Sequence, residues 1–157
     1  MFYEFARLLV STILRVLYRV RIEGDNTLGD IKGCIVYSNH ISFLDPMVLG
    51  CFIKPQIRFM AKKELFTNRF FKYILTKLGA FPVRRGETDI SAVKNAIRVL
   101  KKGEVLGIFP EGTRNRSGGG LLEAEPGLST IAARARVPVV PVAIISNYKL
   151  FNPITIK

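Results

Sequence analysis

Short apolar runs alternate with amphipathic helical segments along this chain, and any fold it adopts has to satisfy that alternation. Residues 34–38, Cys34-Ile35-Val36-Tyr37-Ser38, read as a buried strand. Residues 57–61, 81–83, 105–109 and 137–145 read as further strands. Helical patterns lie between them. One opens at Asp45-Pro46, read as an N-cap followed by proline at the first helical position, and runs to about residue 52. A second spans 68–78, with Phe70, Phe71, Ile74, Leu75 and Leu78 on one side and Gly79 as terminator. Two more cover 89–102, stopped by Gly103, and 127–135. Near the N-terminus, residues 20–23 form a short strand closed by Gly24-Asp25-Asn26. Apolar strands alternating with helices indicate an α/β domain with a largely parallel central sheet flanked by helices. In such sheets ligands gather beyond the carboxyl ends of the strands. His40, Arg84, Arg85 and residues 111–114 directly follow strands, so the topology brings them to one rim.

The chain of 157 residues is one domain by length, and 48% hydrophobic residues exclude disorder. Its charge narrows the partners: 24 Lys and Arg against 12 Asp and Glu give a net +12. That field favours nucleic acid, acidic lipid headgroups, phosphorylated substrates or acidic carrier proteins. The interleaved basic and aromatic residues of a base-stacking platform are absent, which argues against nucleic acid. A basic lipid-binding module without catalysis is the non-enzymatic alternative. Cys34 and Cys51 fall in apolar segments and read as buried reduced thiols. With two cysteines and one histidine, no metal site is expected.

Residues 1–20 place Arg7, Ser11, Arg15 and Arg19 at a spacing of four, along one side of a helix. The opposite face holds Phe2, Phe5, Leu9, Ile13, Val16, Leu17 and Val20. A spanning pose would put Arg7 and Arg15 inside hydrocarbon, at about 2.5–3.5 kcal/mol each near the centre. A helix lying in the membrane interface, its arginines among lipid phosphates, avoids that cost. Glu4 and the interrupting arginines argue against a secretory signal. A core-packing helix is the competing reading.

The lone histidine lies in Asn39-His40-Ile41-Ser42-Phe43-Leu44-Asp45. A neutral imidazole accepts a proton from an alcohol attacking a carbonyl, given a carboxylate to fix its tautomer. Asp45 is near enough in sequence to curl back to it; the plainer reading makes Asp45 a helix cap. Downstream lies Phe109-Pro110-Glu111-Gly112-Thr113-Arg114. Gly112 permits a backbone conformation closed to other residues, after which amides can point at an anion, and Arg114 supplies a cation suited to phosphate. Lys62, Arg84 and Arg85 follow other strands and complete a candidate phosphate pocket. Ser42 and Ser129 lack the G-x-S-x-G setting of an activated nucleophile, so direct transfer is preferred to an acyl-enzyme.

Taken together, these stretches resemble the 1-acylglycerol-3-phosphate acyltransferase (lysophosphatidate acyltransferase) family of the glycerolipid acyltransferase superfamily. The resemblance rests on four blocks in order: Asn39-His40-x4-Asp45, Gly79-Ala80-Phe81-Pro82-Val83-Arg84-Arg85, Phe109 through Arg114, and Val137-Pro138-Val139-Val140-Pro141-Val142. The run Ala61-Lys62-Lys63-Glu64-Leu65 looks like the family's lysine-bearing segment. The resemblance implies a general base at His40, oriented by Asp45, acting on an sn-2 hydroxyl. It implies that Lys62, Arg85 and Arg114 hold the acceptor phosphate and that Glu111, Gly112 and Thr113 shape its site. Residues 137–142 would be a buried strand flanking the acyl channel. The acyl donor would be acyl-CoA or acyl-ACP, a co-substrate, with no cofactor. Implied partners are lysophosphatidic acid and a membrane phospholipid surface, with the chain monotopic or peripheral on the cytoplasmic face of the cell membrane; another lysolipid acceptor is the sibling alternative. Glu123 and Glu125 stand before Gly127, where the family usually carries a basic residue. The expected organisation is an amphipathic helix over 1–20 and an acyltransferase domain over 21–157, truncated at its C-terminus.

Overall fold

The computed structural model describes residues 1–84, 89–115 and 121–157. Its centre is a five-stranded parallel sheet of β2 (Cys34–Ser38), β3 (Ile57–Lys62), β4 (Phe81–Val83), β5 (Val105–Ile108) and β6 (Val139–Val142). The spatial order is β4-β3-β5-β2-β6. Cys34 pairs with Val105 and Tyr37 with Ile108, so β2 and β5 run level to the same edge. Both strands are apolar on both faces because helices cover both. Successive side chains point to opposite sides. Cys34 and Val36 therefore pack with Val48, Leu49 and Phe52 of α2 (Asp45–Phe52). Ile35 and Leu106 pack with Ala96 and Leu100 of α4 (Ile90–Lys101) and with Ile131 of α5 (Gly127–Ala135). The predicted α/β architecture is the one observed.

Several local expectations are corrected. The run 137–145 is two strands, not one: β6 ends at Val142, and β7 (Ile144–Ile145) joins a separate sheet. In that sheet β8 (Pro153–Ile156) lies between β1 (Arg19–Ile22), parallel to it, and β7, antiparallel to it. The switch occurs at Ala143, whose amide and carbonyl both bond to Lys157. Nor is β6 buried: it is the edge of the large sheet, and Val139 and Pro141 are exposed. In α3 (Arg69–Lys77) Phe70 and Phe71 face outward, while Ile74 and Leu75 are half-buried. Asp45 is the first residue of α2 with Leu44 as its N-cap, so the capping role read from sequence does not hold.

Helix α1 (Phe2–Leu17) packs against α2 with its polar stripe inward. Arg7 Nε donates to the Cys51 carbonyl at 3.1 Å, its guanidinium pairs with Glu4, and the Arg15 guanidinium lies 5.2 Å from the centre of the Phe52 ring. Arg7 thus answers the carbonyl end of α2, while Arg15 stays exposed beside the Phe52 ring. The apolar face points away from the protein, with Phe5 66% and Val16 68% exposed. On its inner side the helix also joins the core, through buried Leu14 with Val10 beside it. Among the described residues no helix is long and apolar enough to cross a membrane.

Candidate active site

Strand β2 delivers Asn39 and His40 at the carboxyl edge of the sheet. Asn39 continues the strand with its side chain: Nδ2 donates to the Ile144 carbonyl at 2.9 Å, and Oδ1 accepts from the Ile144 amide at 2.8 Å. That pair ties the end of the large sheet to the small one. His40 follows and is only 6% exposed. Its ring stacks on Phe109 with centroids 4.2 Å apart, and Phe109 stacks in turn on Phe59 at 5.9 Å. Gly107, between them on β5, leaves room for the Phe59 ring; a Cβ there would overlap it.

The two motif segments hold each other by backbone. The His40 amide donates to Glu111 Oε1 at 2.9 Å, and its carbonyl accepts from the Asn115 amide at 2.7 Å. Glu111 is itself buried, and its second oxygen accepts from the Leu122 amide at 3.1 Å. The carboxylate thus pins the histidine loop to the segment beginning at residue 121. Gly112 has φ +60°, and the space a Cβ would need is filled by the Glu125 carboxylate. Among the described residues, three of the amides after Glu111 turn to carbonyls of the two loops. Those of Gly112, Thr113 and Asn115 donate to the carbonyls of Phe109, Glu111 and His40.

Asp45 is completely buried and lies against the imidazole, with Oδ2 2.8 Å from His40 Nδ1. The same oxygen accepts from the amides of Ile41 and Ser42 at 2.7 Å each, which curls the intervening loop around it. Its other oxygen accepts from the Tyr148 hydroxyl. A carboxylate accepting from every side places the proton on Nδ1 and leaves Nε2 as the basic nitrogen. Burial first, and then the bond to Asp45, raises the Tyr148 phenol above its ordinary value and keeps it a donor. Burial raises both thiols above the ordinary range, Cys51 to about 11.

The predicted cations distribute as follows. Arg114 lies along the histidine loop, its guanidinium carbon 3.3 Å from the centre of the exposed Phe43 ring. Lys62 ends β3 at the same sheet edge, half-exposed, with Nζ 3.7 Å from Glu64. The Arg84 amide donates to Asp89, which also caps α4 through the Ala92 amide. These two bonds, the Ala92 bond the larger effect, hold the Asp89 carboxyl below its usual range. Thr113 is exposed. Arg85 lies outside the described residues. The structure therefore brings His40, Asp45 and Glu111 into one bonded unit, with Gly112 and Arg114 adjoining it and Lys62 at the neighbouring strand end.

The family model described as Acyltransferase matches residues 19–145, which contain all of these residues. The chain belongs to the acyltransferase family. Among its relatives, the chain is 37% identical over 142 residues to a Bacillus subtilis protein named 1-acyl-sn-glycerol-3-phosphate acyltransferase, covering 90% of this chain and 70% of that one. A Streptococcus pneumoniae protein of the same name is 40% identical over 110 residues, covering 69% of this chain and 40% of that one. The crystal structure of the 1-acyl-sn-glycerophosphate (LPA) acyltransferase PlsC from Thermotoga maritima superposes with a TM-score of 0.77 at 27% identity, over 99% of this chain and 65% of that one. The chain therefore spans between two-fifths and seven-tenths of the length of these relatives.

Sequence reading missed three members of the site. Tyr148 and Asn39 act across the join between the two sheets, and no local pattern announces a contact made 103 or 105 positions away. Asn39 and Phe109 both stand within the motif blocks, but nothing in the sequence gives either a task, since the partners of each lie far along the chain.

Proposed function

We propose that the chain moves a fatty acyl group from a thioester, on coenzyme A or acyl carrier protein, to the sn-2 hydroxyl of 1-acylglycerol-3-phosphate, giving phosphatidic acid. The observation that carries this reading is the buried His40–Asp45 pair, with Nδ1 held at 2.8 Å and Nε2 left as base. His40 takes the hydroxyl proton through Nε2 as the oxygen attacks the thioester carbonyl carbon. The resulting imidazolium is stabilised by Asp45. Collapse of the tetrahedral adduct breaks the carbon–sulfur bond, and the departing thiolate takes the proton from Nε2, so the histidine is regenerated without an acyl-enzyme. Lys62, Arg85 and Arg114 hold the acceptor phosphate, and Thr113 lies between Arg114 and the Glu111–Gly112 turn.

The outward apolar face of α1 supports a monotopic seat on the cytoplasmic face of the cell membrane. Large contiguous apolar surfaces mark interaction sites, and lipid matches one this uniform. It places the base beside a substrate that resides in the bilayer.

The test is acylation of lysophosphatidate by purified protein, beside lysophosphatidylcholine, for wild type and His40→Ala. Wild type should prefer the phosphate monoester, and the variant should lose about 10²–10⁴-fold in turnover while remaining folded. Full activity in His40→Ala would refute the base, and indifference to the headgroup would refute the acceptor.

A further inference from the structure

Helix α3 has nine residues, none of them buried, although it carries three aromatic side chains. Phe70 is 67% exposed, Phe71 54% and Tyr73 58%. A helix flanking a sheet ordinarily turns such groups inward; here Ile74 and Leu75 are half-buried and the three aromatics are exposed. The exposure is not that of a loose end. Asn68 caps the helix by accepting from the amides of Phe70 and Phe71 at 2.9 and 3.3 Å, so an ordered turn presents both rings.

Charge and position identify the surface these rings meet. The helix contains Arg69, Lys72 and Lys77 and no acidic residue. Lys77 Nζ lies 5.6 Å from the centre of the Tyr73 ring, and Arg69, Lys72 and Lys77 border a shallow depression around it. Aromatic residues ringed by cations suit the boundary between acyl chains and anionic headgroups. Tyr73 also meets Phe2 edge-on at 6.3 Å, which makes the aromatic side of α3 adjoin the outward apolar face of α1.

We propose that α3 is a second membrane contact, inserting Phe70 and Phe71 beside α1 and setting Arg69, Lys72 and Lys77 against anionic lipid headgroups. It rests on the membrane reading of α1 and adds to it a preference for acidic lipid. Two helices fix the tilt of the domain on the bilayer, which one helix alone leaves free to rotate about its axis. An acidic carrier protein matches the cations but offers no apolar phase for two bare phenylalanines continuous with a second apolar helix.

The experiment is co-sedimentation of the full chain with vesicles of phosphatidylcholine alone and of phosphatidylcholine mixed with phosphatidylglycerol. Three double variants are compared, each checked by circular dichroism: Phe70→Ser with Phe71→Ser, Lys72→Glu with Lys77→Glu, and Phe5→Ser with Leu9→Ser in α1. The aromatic variant should partition about tenfold more weakly onto both vesicles. The charge variant should keep its binding to phosphatidylcholine and lose most of the gain from phosphatidylglycerol; it carries the test alone if the aromatic variant does not fold. If both α3 variants bind as wild type while the α1 variant does not, the α3 proposal falls and the α1 reading stands. If all three bind as wild type, both fall. If the α3 variants keep vesicle binding but lose binding to purified acyl carrier protein, α3 is a carrier dock and the proposal is overturned.

Discussion

Tyr148 donates its phenolic hydrogen to Asp45 across 103 positions of sequence, and so closes the last side of the carboxylate that orients His40. The tyrosine is steered there by its own surroundings. Its backbone has φ +51°, its amide bonds to Ser146 Oγ at 2.9 Å, and its ring meets Tyr18 edge-on at 6.0 Å. Replacing it with phenylalanine removes one acceptor contact and keeps the ring packing. Tyr148→Phe should lose about 1–3 kcal/mol in denaturant unfolding. Under the proposed chemistry it should lower kcat several-fold with little change in KM, because the hydroxyl acts through the orienting acid.

Asp45→Asn should be more damaging to catalysis than to folding. The asparagine oxygen can still accept from Ile41 and Ser42, and the Tyr148 hydroxyl can turn to accept from the new amide. The charge opposite the imidazolium is gone, so turnover should fall about 10²–10⁴-fold. Steady-state rates beside circular dichroism separate the two effects.

Glu111 holds two amides with two oxygens, and glutamine can satisfy only one of them. Glu111→Gln should cost about 1–3 kcal/mol. Hydrogen exchange should accelerate at the amides of His40 and Leu122 before it changes in the sheet. Unaltered exchange at both amides would show that the carboxylate does not pin these loops.

Gly107→Ala puts a methyl group against the Phe59 ring, and Phe59 supports Phe109, which supports His40. Overpacking of this kind costs about 1–3 kcal/mol. Activity should drop although no residue of the base–acid pair has changed, as steady-state rates beside circular dichroism would show.

The Cys51 thiol, raised by burial from 9.0 to about 11, should resist alkylation. At pH 8.5 its thiolate population is about 100-fold below that of an ordinary thiol, and iodoacetamide labelling of the native chain should slow at least accordingly. The linked stability has a definite sign. The unfolded thiol ionises first, so the contribution is complete below about pH 9 and is lost as the pH rises towards 11.

Much of the site was legible because its chemistry is concentrated in two short segments. His40 and Asp45 are five positions apart, and Glu111 through Arg114 are contiguous, so local sequence could display them. What it could not display was direction. The spacing of the α1 arginines defines two faces but not which one meets the protein, because amphipathicity is symmetric between a core and an external apolar phase. The same limit hid the outward turn of Phe70 and Phe71. Capping read Asp45 as a local device, whereas its oxygens face back over the preceding loop. Nor could the sequence display that the amides of Gly112, Thr113 and Asn115 would find carbonyl partners within the two docked loops.

By itself the sequence determined the alternation of strands and helices, and with it the parallel sheet and the edge at which His40 emerges. Those follow from hydrophobic periodicity and backbone preference, which act over a few residues. The tertiary structure alone decided that 137–145 divides between two sheets, that Tyr148 and Asn39 reach the site, and that α1 shows its apolar face outward. These depend on which distant groups satisfy a buried carboxylate, an amide or a carbonyl. A hydrogen bond spanning a hundred residues leaves no periodicity for the sequence to reveal.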